Sequence, residues 1–146
     1  MENKDELSQF ENLFLALADK TRLRILNLMR ENEVCVNLFS EALMLSQPKI
    51  SRHLAYLRNT GIVSTRRDGK WIYYSINYST ISSANQILSV TLARLASLHS
   101  MQRDHDNLIL LSRPRSPKPS AASQKQIVSN EPHVYYQSDE IETFLL

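Results

Sequence analysis

The sequence predicts a mainly α-helical protein with a single small β-hairpin. Apolar residues recur at spacings of three and four through most of residues 7–57, which is the period of amphipathic helices. Two runs of β-branched and aromatic residues, 62–67 and 70–76, flank Asp68-Gly69, a strong hairpin signal. A chain of 146 residues is long enough for one domain with one hydrophobic core.

The first half of the chain predicts three helices and one short extended segment. The first helix carries its apolar stripe at Leu7, Phe10, Leu13, Phe14 and Leu17. Asp19 is positioned to cap a second helix that ends near residues 31–32, and Glu33–Val36 is expected to form an isolated extended segment. Asn37 is the expected cap of a third helix, which ends at Met44-Leu45.

A fourth helix follows after a tight turn. Ser46 is a suitable N-cap, and Pro48 falls in the first turn, where its missing N–H is tolerated. Ile50, Leu54 and Leu57 mark the buried stripe of a helix that runs to about residue 59, and Gly61 supplies the left-handed residue that closes it. Two helices joined by such a turn and followed by a hairpin predict a winged helix-turn-helix.

The C-terminal part divides into a helical stretch and a tail. Residues from about 79 to 111 predict a last helix with more apolar residues than one face needs, so part of it is expected to bury against a partner chain. Residues 112–120 contain three prolines, which favours an extended linker. We therefore expect a DNA-binding and dimerisation domain over 1–111, and a Pro/Ser-rich linker with a disordered tail over 112–146.

The sequence favours a cytoplasmic location without membrane contact. No segment approaches the ~20 consecutive apolar residues that cross a bilayer. Residues 1–6 are acidic and lack the basic-then-apolar order of a signal peptide. The one cysteine cannot form an intramolecular disulfide, as expected for a reducing compartment.

The charge distribution favours nucleic acid as the partner. The net charge is only +2, but residues 19–76 carry ten Lys or Arg against five Asp or Glu. With the apolar stripe of the fourth helix buried, the opposite face presents Gln47, Lys49, Ser51, Arg52 and Tyr56. Gln and Arg can make two hydrogen bonds to one base edge, so Gln47, Lys49, Ser51 and Arg52 are predicted to contact the major groove. The competing interpretation is an ordinary solvated helix face.

The hairpin adds a second predicted contact. Arg66, Arg67 and Lys70 surround its tip and are predicted to contact DNA phosphates. The alternative is that these charges only prevent edge-to-edge aggregation of the hairpin. On the fourth helix, His53 is expected to be a packed, hydrogen-bonded histidine, and Arg58 to interact with the helix dipole.

No residue set predicts catalysis, a cofactor or a metal site. Cys35 lies next to a helix N-terminus, where a thiol can become reactive, but it can equally be a small buried apolar residue. His99 and His105 are six residues apart and do not share a helix face, so a zinc site with the neighbouring aspartates is a weak hypothesis. The chain lacks a Gly-rich phosphate loop and a nucleophile–base pair, so we expect no enzymatic activity.

Three segments resemble the arsenical-repressor (ArsR/SmtB) family, and the resemblance covers roughly residues 6–100. They are Ala16-Leu-Ala-Asp-Lys-Thr-Arg-Leu-Arg-Ile-Leu26, Leu45-Ser-Gln-Pro-Lys-Ile-Ser-Arg-His-Leu-Ala55 and Gly69-Lys-Trp-Ile-Tyr-Tyr-Ser-Ile76. The resemblance implies a winged-helix homodimer, paired through its first and last helices. It also implies a repressor that an inducer, commonly a metal or metalloid ion, releases from its own promoter.

The metal-binding motifs of the family are incomplete in this chain. Arsenic-responsive members carry Cys-Val-Cys-x-x-Cys, and here Asn37 and Ser40 replace the second and third cysteines, leaving Cys35 as the only residual candidate. Asn and Ser cannot supply the soft thiolates that trivalent arsenic needs. Zinc-responsive members open the last helix with Asp-x-His, and the matching residues here are Tyr78-Ser79-Thr80.

The sequence thus predicts a homodimeric repressor that binds an inverted-repeat operator in double-stranded DNA and is released by an inducer. One alternative is a thiol- or redox-responsive repressor that uses Cys35. A second is a winged-helix protein-interaction module without DNA binding, which the basic face disfavours.

Overall fold

A computed structural model describes residues 4–78 and 83–114 of the chain. The described helices and strands lie in one compact unit, Met1–Arg113. In chain order they are α1 (Lys4–Leu17), α2 (Lys20–Leu28), β1 (Val34–Cys35), α3 (Val36–Leu43), α4 (Gln47–Asn59), β2 (Val63–Asp68), β3 (Trp71–Ile76), α5 (Ser83–Leu95) and α6 (His99–Ser112). Most of the predicted tail, beyond Pro114, lies outside the described residues.

Local sequence signals explain how the first helices begin and end. Asp19 caps α2 as predicted, since its Oδ1 accepts a hydrogen bond of 2.9 Å from the Arg22 N–H. The predicted Asn37 cap is wrong, because α3 begins at Val36 and Cys35 takes the cap position without a side-chain hydrogen bond. The extended backbone of Cys35 leads directly from β1 into the helix, which therefore begins two residues earlier than predicted.

The sheet has three antiparallel strands in the order β1-β3-β2. The hairpin joins β2 to β3, with Asp68 opposite Trp71, so Gly69-Lys70 form the turn and Gly69 has a φ of +57°. The prediction of an isolated extended segment at 33–36 is wrong. Val34 and Cys35 pair with Tyr74 and Tyr73 of β3, because a β-strand stays ordered only when its backbone groups find partners.

One hydrophobic core connects the helices to the root of the sheet. Its buried side chains come from α1 to α4, from the strand residues Val34, Val63 and Ile76, and from Leu88, Leu92 and Leu108 of α5 and α6. Phe39 meets Tyr74 edge to face, with ring centroids 6.3 Å apart. The helix-turn-helix and the hairpin therefore share a single packed interior, which fixes their relative positions.

The predicted single helix over 79–111 is wrong in one respect: it is interrupted at residues 96–98. The Ser97 hydroxyl donates a 2.8 Å hydrogen bond to the Arg94 carbonyl, and Leu98 has extended dihedral angles. The chain then restarts as α6, which packs on α2 and α3. A serine that bonds a carbonyl of its own helix competes with the helical hydrogen bonds. Residues 79–82, where the prediction began, lie outside the described part.

Candidate nucleic-acid interface

The turn between α3 and α4 has the tight geometry that the sequence predicts. Met44 ends α3 in the left-handed conformation, with φ 55° and ψ 43°, and the Leu45 N–H donates to the Ser40 carbonyl at 3.0 Å. Ser46 takes the N-cap position of α4 with extended backbone, although its side chain makes no capping hydrogen bond. Pro48 lies in the first turn as predicted. The second helix of the pair is thus set at a fixed angle to the first.

The two faces of α4 separate as the periodicity predicts. Ile50, Leu54 and Leu57 are completely buried. The opposite face is exposed, and its polar members form no hydrogen bond or ion pair within residues 4–78 and 83–114: Gln47, Lys49, Ser51 and Arg52. Their donors and acceptors are available to an external partner. This face lies at the N-terminal end of the helix, where recognition helices contact base edges.

His53 lies at the border of these two faces and contacts the start of α2. Its Nδ1 is 3.8 Å from Asp19 Oδ1, too long for the predicted hydrogen bond but close enough for an electrostatic contact. Burial lowers the pKa of His53, and the positive charges of Arg22, Lys49 and Arg52 lower it further, while Asp19 acts in the opposite direction. The surroundings of the ring therefore favour its neutral form.

Arg22 connects the end of α1 to α4, a role that its position in the sequence does not indicate. Its guanidinium donates to the Ala16 carbonyl at 2.8 Å and the Leu15 carbonyl at 2.7 Å, at the end of α1. The same group lies 4.3 Å from the ring centroid of Tyr56. Tyr56 is thus held in an intramolecular contact rather than presented freely with the other polar residues of α4.

The basic residues of the hairpin are in three different environments. Arg66 hydrogen-bonds Glu33 with 2.5 and 3.0 Å contacts, lies 3.5 Å from Asp68 and stacks over the Tyr73 ring. Lys70 lies over the Trp71 ring at 5.0 Å from its centroid. Arg67 is exposed and forms no ion pair in the part of the chain that the structure describes.

The positive charge of residues 19–76 is therefore less available to an external partner than the composition indicates. Three of its arginines form ion pairs with carboxylates, namely Arg24 with Asp104, Arg30 with Glu31 and Arg66 with Glu33. Lys49 and Arg52 on α4, with Arg67 and Lys70 on the hairpin, form no ion pair with another described residue. Most of the positive charge that is free of ion pairs among the described residues of 19–76 therefore lies on α4 and the hairpin, with Lys20 and Arg22 on α2.

The segment around Cys35 does not form a thiolate-rich metal site. Cys35 is buried, and its neighbours in the incomplete cysteine motif are an amide and a hydroxyl. Asn37 Oδ1 is buried without a hydrogen-bond partner among the described residues, and the Ser40 hydroxyl makes a 3.4 Å contact with the Asn37 carbonyl. Across residues 4–78 and 83–114, no three His, Cys, Asp or Glu side chains are grouped to hold a metal ion. This donor set does not fit a thiophilic metalloid.

The histidines of α6 are separated as the sequence predicts. His99 is exposed at the start of the helix, while His105 Nε2 lies 3.7 Å from Glu31 Oε2. The weak zinc hypothesis also loses Asp104, because both of its carboxylate oxygens bind Arg24.

The described chain also contains a small cavity between α1, the turn after α4 and the start of α5. Its volume is about 150 Å³, and its polar lining includes the amide side chains of Gln9, Asn12, Asn77 and Asn85. The lining contains no thiol, imidazole or carboxylate, so it offers no strong metal ligands. None of the described helices is long and apolar enough to cross a membrane.

Sequence comparison relates the chain to bacterial regulators of arsenic resistance. A model of the arsR family of bacterial regulatory proteins matches residues 19–65. The arsenic resistance transcriptional regulator ArsR2 of Pseudomonas putida is 45% identical over 82 residues, 56% of this chain and 71% of the relative. Two others match at 54% and 52% identity over 66 residues, 44% of this chain: ArsR1 of the same organism and the arsenical resistance operon repressor of Escherichia coli. The match spans about half the length of these two relatives, 52% and 56%.

Structural comparison gives the same family. The solution structure of a homodimeric winged helix-turn-helix DNA-binding domain from Mycobacterium bovis, described as a possible ArsR-family regulator, superposes with a TM-score of 0.51. It is 29% identical in sequence and covers 64% of this chain and 87% of that domain. The family match covers the helix-turn-helix, and the structural neighbour is described as a winged helix-turn-helix domain. The chain is a winged helix-turn-helix protein and belongs to the arsR family of bacterial regulatory proteins.

Proposed function

We propose that this protein is a homodimeric transcriptional repressor that recognises an inverted-repeat operator in double-stranded DNA. The observation that carries the proposal is the exposed face of α4, where Gln47, Lys49, Ser51 and Arg52 have no partner within the described residues and follow a tight helix-turn-helix turn. A basic, unpaired face on a recognition helix has the chemistry that major-groove recognition requires.

The exposed polar residues of α4 differ in the DNA groups that they can bind. The Arg52 guanidinium can donate two hydrogen bonds to a guanine edge, and the Gln47 amide can pair with adenine. Ser51 can donate or accept, and Lys49 supplies charge to either a base or a phosphate. On the hairpin, Arg67 and Lys70 contact flanking phosphates, while Arg66 reaches a phosphate only by giving up its contacts with Glu33.

Dimerisation would use α1 and α5, which contact each other within one chain. Both helices expose large apolar side chains: Leu7 is 72% exposed on α1 and Val90 is 71% exposed on α5, with Phe14 also exposed. Exposed apolar side chains on adjacent helices are typical of a protein–protein interface. The last helix predicted over 79–111 corresponds to α5 and α6, and α5 is the part of it that packs against α1.

The repressor is expected to act in the cytoplasm without catalysis and to be released by an inducer other than arsenite. Its relatives are transcriptional regulators rather than enzymes. The lack of thiolate ligands around Cys35 supports a different inducer chemistry. The burial of Cys35 likewise gives little support to a thiol switch, because oxidants and thiols need access to the sulfur.

Selection of DNA from a random duplex pool tests the proposal directly. The full-length protein should enrich a sequence with two inverted half-sites about one helical turn (~34 Å) apart, or a multiple of it. Light scattering should give the mass of a dimer in free solution. Failure to bind any duplex would instead support the interaction-module alternative.

A further inference from the structure

We propose that Arg24 and Asp104 are positioning residues for DNA recognition: through this pair, α6 holds the end of α3 from which the recognition helix departs. The inference rests on the proposed function. It assigns a role to α6 that the sequence did not indicate. In the sequence, Arg24 is only one of the ten basic residues of 19–76, and Asp104 is only a member of a weak candidate zinc site.

The pair forms one bridge between three helices. Arg24 of α2 donates from Nε to Asp104 Oδ2 at 2.7 Å and from Nη2 to Asp104 Oδ1 at 2.8 Å. The same Nη2 donates to the Leu43 carbonyl of α3 at 3.1 Å. The Asp104 side chain is only 3% exposed, so the Arg24 guanidinium, rather than water, stabilises its negative charge. The planar guanidinium can satisfy both the carboxylate and the carbonyl, which a lysine ammonium cannot do with the same geometry.

A second contact from α6 reaches the adjacent carbonyl. The Asn107 side chain donates to the Ala42 carbonyl at 3.2 Å. Carbonyls in the last turn of a helix have no donor within the helix and need one from elsewhere. Arg24 and Asn107 supply donors to two successive carbonyls at the end of α3. Near the start of α6, the Met101 carbonyl accepts a hydrogen bond from buried Asn27 at 3.0 Å, so the helix is attached at several points.

Met44, the residue directly after these two carbonyls, has an unfavourable backbone conformation. Met44 adopts φ 55°, the left-handed conformation that non-glycine residues rarely adopt, and its side chain is 85% exposed. An exposed side chain contributes little packing to hold this backbone. The hydrogen bonds to Ala42 and Leu43 act directly before Met44, so they restrain the start of the turn that sets the direction of α4.

The principal test is Arg24→Lys in the full-length chain, with Arg103→Lys on the exposed face of α6 as the matched control. The probe is the duplex that the wild-type protein recovers from a random pool, compared with an unrelated duplex of equal length. Lysine keeps the charge but cannot keep the full set of bonds. We expect Arg24→Lys to weaken binding to the recovered duplex by about tenfold, the scale of one lost charged hydrogen bond, with little change on the unrelated duplex. Arg103→Lys should bind both as the wild type does.

A further readout separates positioning from simple stability. Met44→Gly removes the steric cost of the left-handed turn, so it should restore part of the lost affinity in the Arg24→Lys background. Amide hydrogen exchange at residues 44–46 should be faster in Arg24→Lys than in the wild type. Binding is measured far below the urea midpoint of each variant, so that every variant is folded.

Two results would overturn the inference. One is an Arg24→Lys variant that is less stable to urea yet binds the recovered duplex within about twofold of the wild type. If Arg24→Lys does not fold, Asn107→Ala tests the same end of α3, and unchanged affinity and unchanged exchange at residues 44–46 in that variant overturn it equally. Failure of the wild-type protein to select any duplex would count against the proposed function instead.

Discussion

Arg66 of the hairpin and Glu33, which precedes β1, form a two-point ion pair across 33 residues of sequence. The hydrogen bonds from Arg66 hold the pKa of Glu33 below its ordinary value and raise that of Arg66. The pair joins β2 to the segment that leads into β1, across the central strand β3. One of the predicted phosphate contacts is therefore already neutralised by an acidic residue.

Glu33→Gln should strengthen DNA binding, because it removes a negative charge and releases Arg66 for a phosphate. The plot of log K against log salt concentration should become steeper by about one unit per chain. Arg67→Ala and Lys70→Ala should each make it shallower by about the same amount. Anisotropy titrations at several salt concentrations measure these slopes. If the slopes of Glu33→Gln and Glu33→Gln/Arg66→Ala are the same, Arg66 only anchors the hairpin.

Arg52→Ala should reduce sequence specificity, because Arg52 is exposed near the N-terminal half of α4. We expect a cost of ~1–3 kcal/mol on the selected operator and a relaxed preference at one base position. Competition with single-base variants of the operator measures this preference. Equal weakening on operator and random DNA would show that Arg52 contacts only phosphate. The exposed Arg103 of α6, changed to Ala, controls for loss of charge.

Met44→Gly should stabilise the folded protein by about 1 kcal/mol, because glycine adopts the left-handed conformation without a steric cost. Met44→Ala is the matched control: it removes the exposed side chain but keeps the Cβ atom, so it should give no such gain. Urea unfolding of the three proteins measures the difference. A Met44→Gly variant no more stable than Met44→Ala would mean that the turn carries no strain.

Arsenite and antimonite should release the protein from DNA poorly, and Cys35→Ser should leave DNA binding largely unchanged. One chain supplies a single thiolate at this position, and the two copies in a dimer would belong to two separate helix-turn-helix units about one DNA turn (~34 Å) apart. A metal–sulfur bond of ~2.3 Å cannot bridge that separation. A gel shift with and without arsenite measures the release. Dissociation at micromolar arsenite that Cys35→Ser abolishes would contradict this prediction.

His53 should make stability depend on pH near its ordinary pKa of 6.5. Burial lowers the pKa of His53 in the folded protein. Well above pH 6.5 the imidazole ring is therefore neutral in both the folded and the unfolded chain. As the pH falls below 6.5, the unfolded chain binds the proton first, and the free energy of unfolding decreases until the folded ring is protonated too. His53→Gln should flatten urea-derived stability between pH 7 and 5, whereas His99→Gln, at an exposed site, should not. Parallel curves for all three proteins would rule out this role.

The sequence by itself determined the elements that depend on local signals. The period of Ile50, Leu54 and Leu57 fixes which face of α4 is buried, and hence which face carries Gln47 and Arg52. Asp68-Gly69 locates the hairpin turn to within one residue, and Asp19 caps α2 as expected. These features follow from a few adjacent residues, whose conformational preferences the wider fold leaves unchanged.

Only the tertiary structure decided which charges remain available. Arg24 and Asp104 are 80 residues apart in sequence, and nothing in either local segment predicts that α2 and α6 pack together. The pairing of β1 with β3 and the restart of the chain as α6 also depend on which elements meet in space. Charge and hydrogen-bonding capacity are local properties of a residue, but their satisfaction is not. The basic composition predicted DNA binding, while the fold decides which of the basic residues have no carboxylate partner within the chain.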